Sequence, residues 1–276
     1  MKNIVVPVDF SAVSENAANY AAGLAAFYGA RLWLYHAYLL PGALPEYGYP
    51  LPSGAELENA AGFEMEELVK RIQSKQAKQI TIDTKIELEH LHKGLPVLCE
   101  ESSADLVVMG LTGKSALTRL VVGSNTVKAI HYLKYPVLVV PKDSEFNPIH
   151  RVGFACDYKK VNETTPVETI RQIVSEFNAQ LHVINVDWHN RNFKPETPGE
   201  QFYLHMYLHG LDVQYHNIES EDLSSGLNAF AKAEDIDLLI TIPKKHNLVE
   251  KLFGSSKVED LIYHTNLPVM CMHEVD

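Results

Sequence analysis

The sequence predicts an α/β fold built twice, as two tandem doubly wound domains that each carry a parallel sheet with helices on both faces. Three observations predict it. Short β-branched runs alternate with helix-periodic segments from the first residues onward, and the handedness of crossover connections turns such alternation into a parallel sheet. Near residue 148 the pattern begins again and keeps its order. Between Ala104 and Pro141 a strand suited to burial on both faces leads through a glycine-containing loop into a helix, and then into a second such strand.

Lys2 to Val8 is a β-branched run that ends at Asp9, a first strand with a carboxylate at its carboxyl end. Ser11 or Ser14 can cap an Ala-rich helix that reaches about Tyr28 and stops at Gly29. Arg31 to Tyr38 is the second strand. Leu39 to Gly54, rich in Pro, Gly and Tyr, reads as a long loop, suited to a lid or binding segment as well as to a plain connector. A charged amphipathic helix is expected from about Ala55 to Lys78, a third strand from Ile80 to Leu88 and a short helix from Gly94 to Glu101. Ala104 to Met109, Asn125 to Lys134 and Pro136 to Val140 then supply strand, helix and strand.

The chemistry of this half is concentrated between the fourth strand and its helix. Gly110 and Gly113 flank a tight exit from the strand, and Gly123-Ser124 opens the helix. Unpaired amides and a partial positive charge at a helix N-terminus attract an anion, and glycine there lets the anion reach the backbone. Two familiar glycine motifs are excluded. Gly113-Lys114-Ser115 would end a Walker loop only if position 108 were glycine, and it is Val108; the turn after the first strand, Val8-Asp9-Phe10-Ser11, lacks the glycines of a dinucleotide fingerprint. What remains, Gly-x2-Gly-x9-Gly-Ser with the flanks Val107-Val108-Met109 and Tyr135-Pro136-Val137-Leu138-Val139-Val140, resembles the nucleotide-binding motif of the universal stress protein family.

That resemblance implies an adenine-nucleotide α-hydrolase-like fold with five-stranded sheets in the order 3-2-1-4-5, and ATP or AMP as bound ligand with magnesium as an optional companion. By the same resemblance Pro7, Val8 and Asp9 lie near the base or ribose, and the backbone at Ala37 pairs with adenine. Met109, Gly110 and Gly113 lie against ribose and phosphate, and Gly123, Ser124, Asn125 and Thr126 hold the phosphates. A carboxylate beside a triphosphate would be repelled, which also sends Asp9 to the base or ribose end. Lys114 and Arg119 on the loop suit a solvated face better than charge neutralisation. No His, Glu or Asp falls in the loop to activate water, and His36 reads as packing, so binding with slow or no turnover is expected.

Asp143 to Pro148 reads as a polar joint between domains 1–143 and 148–276. After it, His150 to Asp157 parallels Lys2 to Asp9, with Cys156-Asp157-Tyr158 at the positions of Val8-Asp9-Phe10. Ala179 to Val186 parallels Ala30 to Ala37, Asp235 to Ile242 the fourth strand, Gly254-Ser255 the helix start, and Leu267 to Met272 the stretch from Tyr135 to Val140. Counted back from Gly254, Thr241 and Lys244 hold the positions of Gly110 and Gly113, which breaks the ATP motif; Lys244-Lys245 would suit a smaller anion at most. The family's domains pair through their last strands, which implies an intramolecular pair here and leaves a homodimer open. His205 and His209, four apart on an expected helix, lack an identified third ligand, so a solvated helix face is the expectation and no metal site is assigned.

The formal net charge of -11 and the absence of any basic run argue against nucleic acid or an anionic membrane as partner. The segment MKNIVVPVDF lacks the apolar core of a signal peptide, and no apolar run approaches the roughly 20 residues of a membrane span, so a cytoplasmic protein is expected. The widely spaced Cys99, Cys156 and Cys271 read as buried reduced thiols. The leading expectation is therefore a nucleotide-binding stress-response or regulatory protein. A slow ATPase, and an interaction or small-ligand module with a vestigial nucleotide site, are the alternatives.

Overall fold

The computed structural model describes residues 1–41, 51–76, 78–111, 124–188, 197–243 and 257–274. These fall into two compact units, one ending at Phe146 and the other beginning at Asn147. The first contains β1 (Asn3–Pro7), α1 (Ala12–Tyr28), β2 (Arg31–Tyr38), α2 (Gly54–Lys75), β3 (Ile82–Leu88), α3 (Leu91–Glu101), β4 (Leu106–Leu111), α4 (Ser124–Tyr132) and β5 (Val137–Pro141). Its strands are parallel in the order β3-β2-β1-β4-β5. The chain moves one way from β1 to β2 and the other way from β4 to β5, so the strand order reverses between β1 and β4. In such sheets a crevice opens there at the carboxyl ends.

Local chemistry sets these elements. Ser11 accepts a hydrogen bond from the Ser14 amide to start α1, and Gly29, at φ 65°, ends it in the left-handed region. The small side chains of Ala17, Ala18, Ala21, Ala22 and Ala25 let the helix sit close on the sheet, and all are buried. A reciprocal capping box between Ser53 and Glu56 starts α2, and Arg71 bridges back to Glu15 of α1 at 3.1 Å. Several boundaries differ from the sequence expectation by one to three residues, the end of α2 and the starts of β3, β4 and α3 among them. Helix α3 begins at Leu91, three residues before Gly94, because Gly94 is a packing position inside the helix: a Cβ there would lie 1.8 Å from the Tyr35 hydroxyl.

The second unit contains β6 (Arg151–Ala155), α5 (Val161–Thr164), α6 (Val167–Phe177), β7 (Gln180–Trp188), α7 (Thr197–Tyr207), β8 (Val213–Ser220), α8 (Leu223–Ala233), β9 (Leu238–Thr241), α9 (Lys257–His264) and β10 (Val269–Cys271). Its strands are again parallel, in the order β8-β7-β6-β9-β10. The two units repeat individual fasteners as well as topology. Asp105 Oδ2 accepts from the amides of Lys2 and Asn3, as Asp237 Oδ2 does from those of His150 and Arg151. Phe10 and Tyr158 both stand at positive φ, 61° and 49°, immediately after the carboxylates Asp9 and Asp157.

Strand register corrects one correspondence. Val107 pairs with Val137 and Leu239 with Val269, so β4 and β9 are related by a shift that sets Thr241 against Met109, not Gly110. Ile242 holds the place of Gly110. The buried Thr241 matches the buried Met109, and counting back from Gly254 runs one residue out of step with the strands. The counterpart of α1 is also divided. Thr165 is extended ahead of Pro166, a residue that disfavours helical geometry before it, and this separates the single turn α5 from α6. The expectation of buried thiols holds: Cys99, Cys156 and Cys271 are all buried.

Candidate functional site

The first turn of α1 joins the carboxyl ends of β1 and β4. The Asp9 amide donates to Ser14 Oγ at 3.2 Å, and Asp9 Oδ1 accepts from the Ser11 amide at 3.0 Å, so the acid closes the turn into the helix. Desolvation pushes the Asp9 pKa up, but the hydrogen bonds from Ser11 and Ser14 outweigh it and hold the acid below its ordinary value. Its carboxylate is exposed and ionised near neutral pH. On the β4 side, a Cβ on Gly110 would lie 2.6 Å from the Val13 carbonyl oxygen and 2.7 Å from Val13 Cγ1. Glycine at this position therefore answers to the approach of α1 as well as to any ligand.

Helix α4 is drawn to the same end of the sheet. The buried Thr126 donates its hydroxyl to the Gly110 carbonyl at 2.9 Å, and the helix starts two residues earlier, at Ser124. An N-terminus with its free amides thus stands beside the end of β4. Asn125, next to it, is exposed. Gly113 and Gly123 lie outside the described residues, as do the Ser124 side chain, Lys114 and Arg119. Pro7, Val8 and Met109 are buried, which leaves them only backbone groups to offer, while Ala37 is half-buried near the end of β2. The structure therefore gathers the predicted residues of β1, β2, β4 and α4 at one end of the sheet. It gives Thr126 and Gly110 structural work in holding that end together.

Sequence reasoning missed a set of aromatic rings at this end. Phe10 approaches His36 with ring centroids 4.5 Å apart, and His36 stacks on Tyr38 at 6.3 Å with planes 9° apart. His36 and Tyr38 are two apart on β2, a spacing that places both on one face and could have flagged them. Nδ1 of His36 sits 2.8 Å from the Val8 carbonyl oxygen. A carbonyl only accepts, so Nδ1 carries the hydrogen and Nε2 is left as an acceptor. In the second unit the Asn185 amide donates to the Cys156 carbonyl at 2.8 Å from the matching place. His36 is thus a fastener of β1 to β2, in keeping with the packing role expected of it.

The matching end of the second unit is built differently. Ile242 fills the place of Gly110, and Tyr158, at the place of Phe10, is only 2% exposed. A carboxylate oxygen of Glu200, on α7, accepts from the Val161 amide at 2.7 Å and so takes up a free donor at the start of α5. Lys244, Lys245, Gly254 and Ser255 lie outside the described residues. Among the described residues no group of three or more His, Cys, Asp and Glu could hold a metal ion. His205 lies on α7, which ends at Tyr207, so the helix does not carry His209. Nor is any described helix long and apolar enough to cross a membrane.

Comparison with known proteins bears on this site. The model of the universal stress protein family matches residues 1–141. A universal stress protein of Methanocaldococcus jannaschii is 35% identical over 147 residues, which cover 51% of this chain and 82% of the relative. Among solved structures, a universal stress protein from Archaeoglobus fulgidus aligns over 99% of this chain and 97% of its own, with a TM-score of 0.76 at 17% identity. A functionally unknown protein from Pseudomonas aeruginosa aligns over 99% and 93%, with a TM-score of 0.62 at 13% identity. At those identities the structural matches speak for the fold.

Proposed function

The chain belongs to the universal stress protein family, and from that membership we propose that its first unit binds one ATP or AMP at the carboxyl ends of β1 and β4 while its second unit binds none. The observation that carries the reading is the hydrogen bond from Thr126 to the Gly110 carbonyl, which sets the start of α4 beside the end of β4. There the helix amides can meet phosphate oxygens. Asp9, ionised and exposed, is the acceptor for ribose hydroxyls or the adenine amino group. The motif Gly110, Gly113, Gly123 and Ser124, intact in the sequence, supports the same ligand. Magnesium, where it accompanies ATP, would arrive on the phosphates.

Stable binding with little turnover suits a regulatory or stress-response protein whose ligand state alters its behaviour. Hydrolysis would need a base aimed at the γ-phosphate, and His36, an imidazole at this end of the sheet, is engaged with Val8. In the second unit Ile242 would put a branched side chain where the first unit has none, which supports an empty crevice there.

The test is to purify the chain without added nucleotide, denature it, and count the released nucleotide by mass spectrometry. The expected result is about one adenine nucleotide per chain, lost in Gly113→Val and in Ser124→Ala. Gly110→Val is the wrong probe, because its side chain would collide with Val13 whether or not a ligand binds. Release of two nucleotides per chain overturns the assignment of an empty second unit. If none is released and titrated ATP does not bind, the nucleotide reading fails and an interaction module takes its place.

A further inference from the structure

Two histidines of the second unit stand apart from its crevice. His182 lies on β7 and is 1% exposed, and His216 lies half-buried on β8, the edge strand of that sheet. Ile184 pairs with His216, so His182 and His216 are diagonal neighbours on one sheet face. Their rings stack with centroids 5.2 Å apart and planes 9° apart. Phe230 of α8 covers both, at 6.0 Å from His182 and 4.6 Å from His216. The contact of α8 with β7 and β8 thus includes this trio, beside the approach of Gly226 to Val186 and Ser220.

The hydrogen-bond network fixes the neutral form of His182. Gln180 Nε2 donates to Asp212 at 2.8 Å, which turns Gln180 Oε1 toward His182 Nε2 at 3.0 Å. An amide oxygen only accepts, so Nε2 carries the hydrogen and Nδ1 is a bare lone pair. That Nδ1 is buried and has no hydrogen-bond partner, and the same is true of Nε2 of His216. Any second proton on His182 must go to Nδ1, where nothing accepts it and a parallel imidazole lies alongside. A charge placed there is both unsolvated and unpaired.

We propose that the stack of His182 on His216 is an acid-sensitive latch, which holds β8 and α8 onto the second unit while His182 is neutral and releases them when a proton enters its ring. The charged groups around it relieve only part of the cost. Arg151 on β6 opposes protonation, and its guanidinium is bound to the Glu234 carbonyl at 2.8 Å. Glu234 at the end of α8 and Asp212 ahead of β8 favour protonation. Burial outweighs them, with His216 the next contribution, and the His182 pKa falls below its ordinary 6.5. The unfolded chain then binds this proton more readily than the folded one. The stability tied to the pair is complete above that ordinary value and is lost as the pH drops below it.

The experiment is hydrogen–deuterium exchange on the full chain at about pH 7.5 and about pH 5.5, corrected for intrinsic exchange rates. Amides of β8 and α8 should lose protection by up to roughly tenfold relative to those of β1 and α1, the limit for one histidine one pH unit below its ordinary value. His182→Phe keeps a ring in the stack and removes the group that takes the proton, so it should abolish most of that loss, whereas His216→Phe leaves the buried His182 in place and should keep much of it. An equal loss in His182→Phe, or none in the native chain, overturns the proposal. Should neither variant fold, NMR titration of the His182 ring in the native chain decides: a midpoint below 6.5 with concurrent broadening of β8 amides supports the latch, and a midpoint at or above 6.5 overturns it. These readouts do not involve nucleotide, so they stand or fall separately from the ligand of the first unit.

Discussion

Gly110 and Thr126 belong to a ligand motif by sequence, and both are also structural. Because the Val13 backbone occupies the space a methyl group would need, Gly110→Ala should destabilise the first unit by about 1–3 kcal/mol, the usual cost of overpacking. Urea unfolding of nucleotide-free protein checks this, and a neutral result would show that α1 yields. Thr126→Val removes the hydroxyl that reaches Gly110 and leaves a half-buried carbonyl without that donor, for about 1 kcal/mol. That variant should also release nucleotide faster, since the start of α4 loses its tether. Asp9 acts on the acid limb. Its folded pKa lies below the ordinary 3.8, so its stabilising effect is present above that value and is lost as the pH falls through the lower one. Asp9→Asn should flatten the fall in urea midpoint at acid pH, and an unchanged slope would show that the Ser11 and Ser14 hydrogen bonds matter equally to both forms.

At the scale of elements, end signals are legible in the sequence, while two glycines carry a tertiary meaning that it does not show. Ser11, Gly29 and the bounds of β2 were legible because capping and β-branched runs act locally. The start of α3 was not, since Gly94 looks like a boundary and is instead the point where Tyr35 meets the helix, a contact between residues far apart in the chain. Gly110 was read as a ligand position for a similar reason: the approach of Val13 is tertiary and leaves no local trace. In the second unit the division of α5 from α6 is legible only once Pro166 is weighed, because the repeat otherwise suggests one continuous helix. Helix α2 offers a direct test of local control. Ser53→Ala removes the hydroxyl that accepts from the Glu56 amide and donates to the Glu56 carboxylate, so it should cost about 1 kcal/mol in urea unfolding. A loss of a few tenths at most would mean that packing of Met65, Leu68 and Ile72, all buried, sustains the helix by itself.

At the scale of the molecule, the repeat was legible because duplicated strands keep their hydrophobic runs, while the alignment of the two crevices depended on register. Strand pairing places Ile242 at Gly110, and a loop that differs in length by one residue is enough to shift a count taken from Gly254. The two units therefore share topology and fasteners but differ where a ligand would sit. Each has its own five strands and its own buried core, so each can act as a cooperative unit toward agents that touch only one of them. A ligand that binds only the folded first unit stabilises it by RT ln(1 + [L]/Kd), about 2.7 kcal/mol at a hundredfold excess over Kd. Added ATP should thus slow hydrogen exchange in β1, β4 and α4 and leave β6, β9 and α9 unchanged. Equal slowing in both units would mean that ligand energy passes between them or that the second crevice also binds. Measuring the same exchange in Ser124→Ala separates these cases, because transmitted protection disappears with the first site and direct binding to the second unit persists.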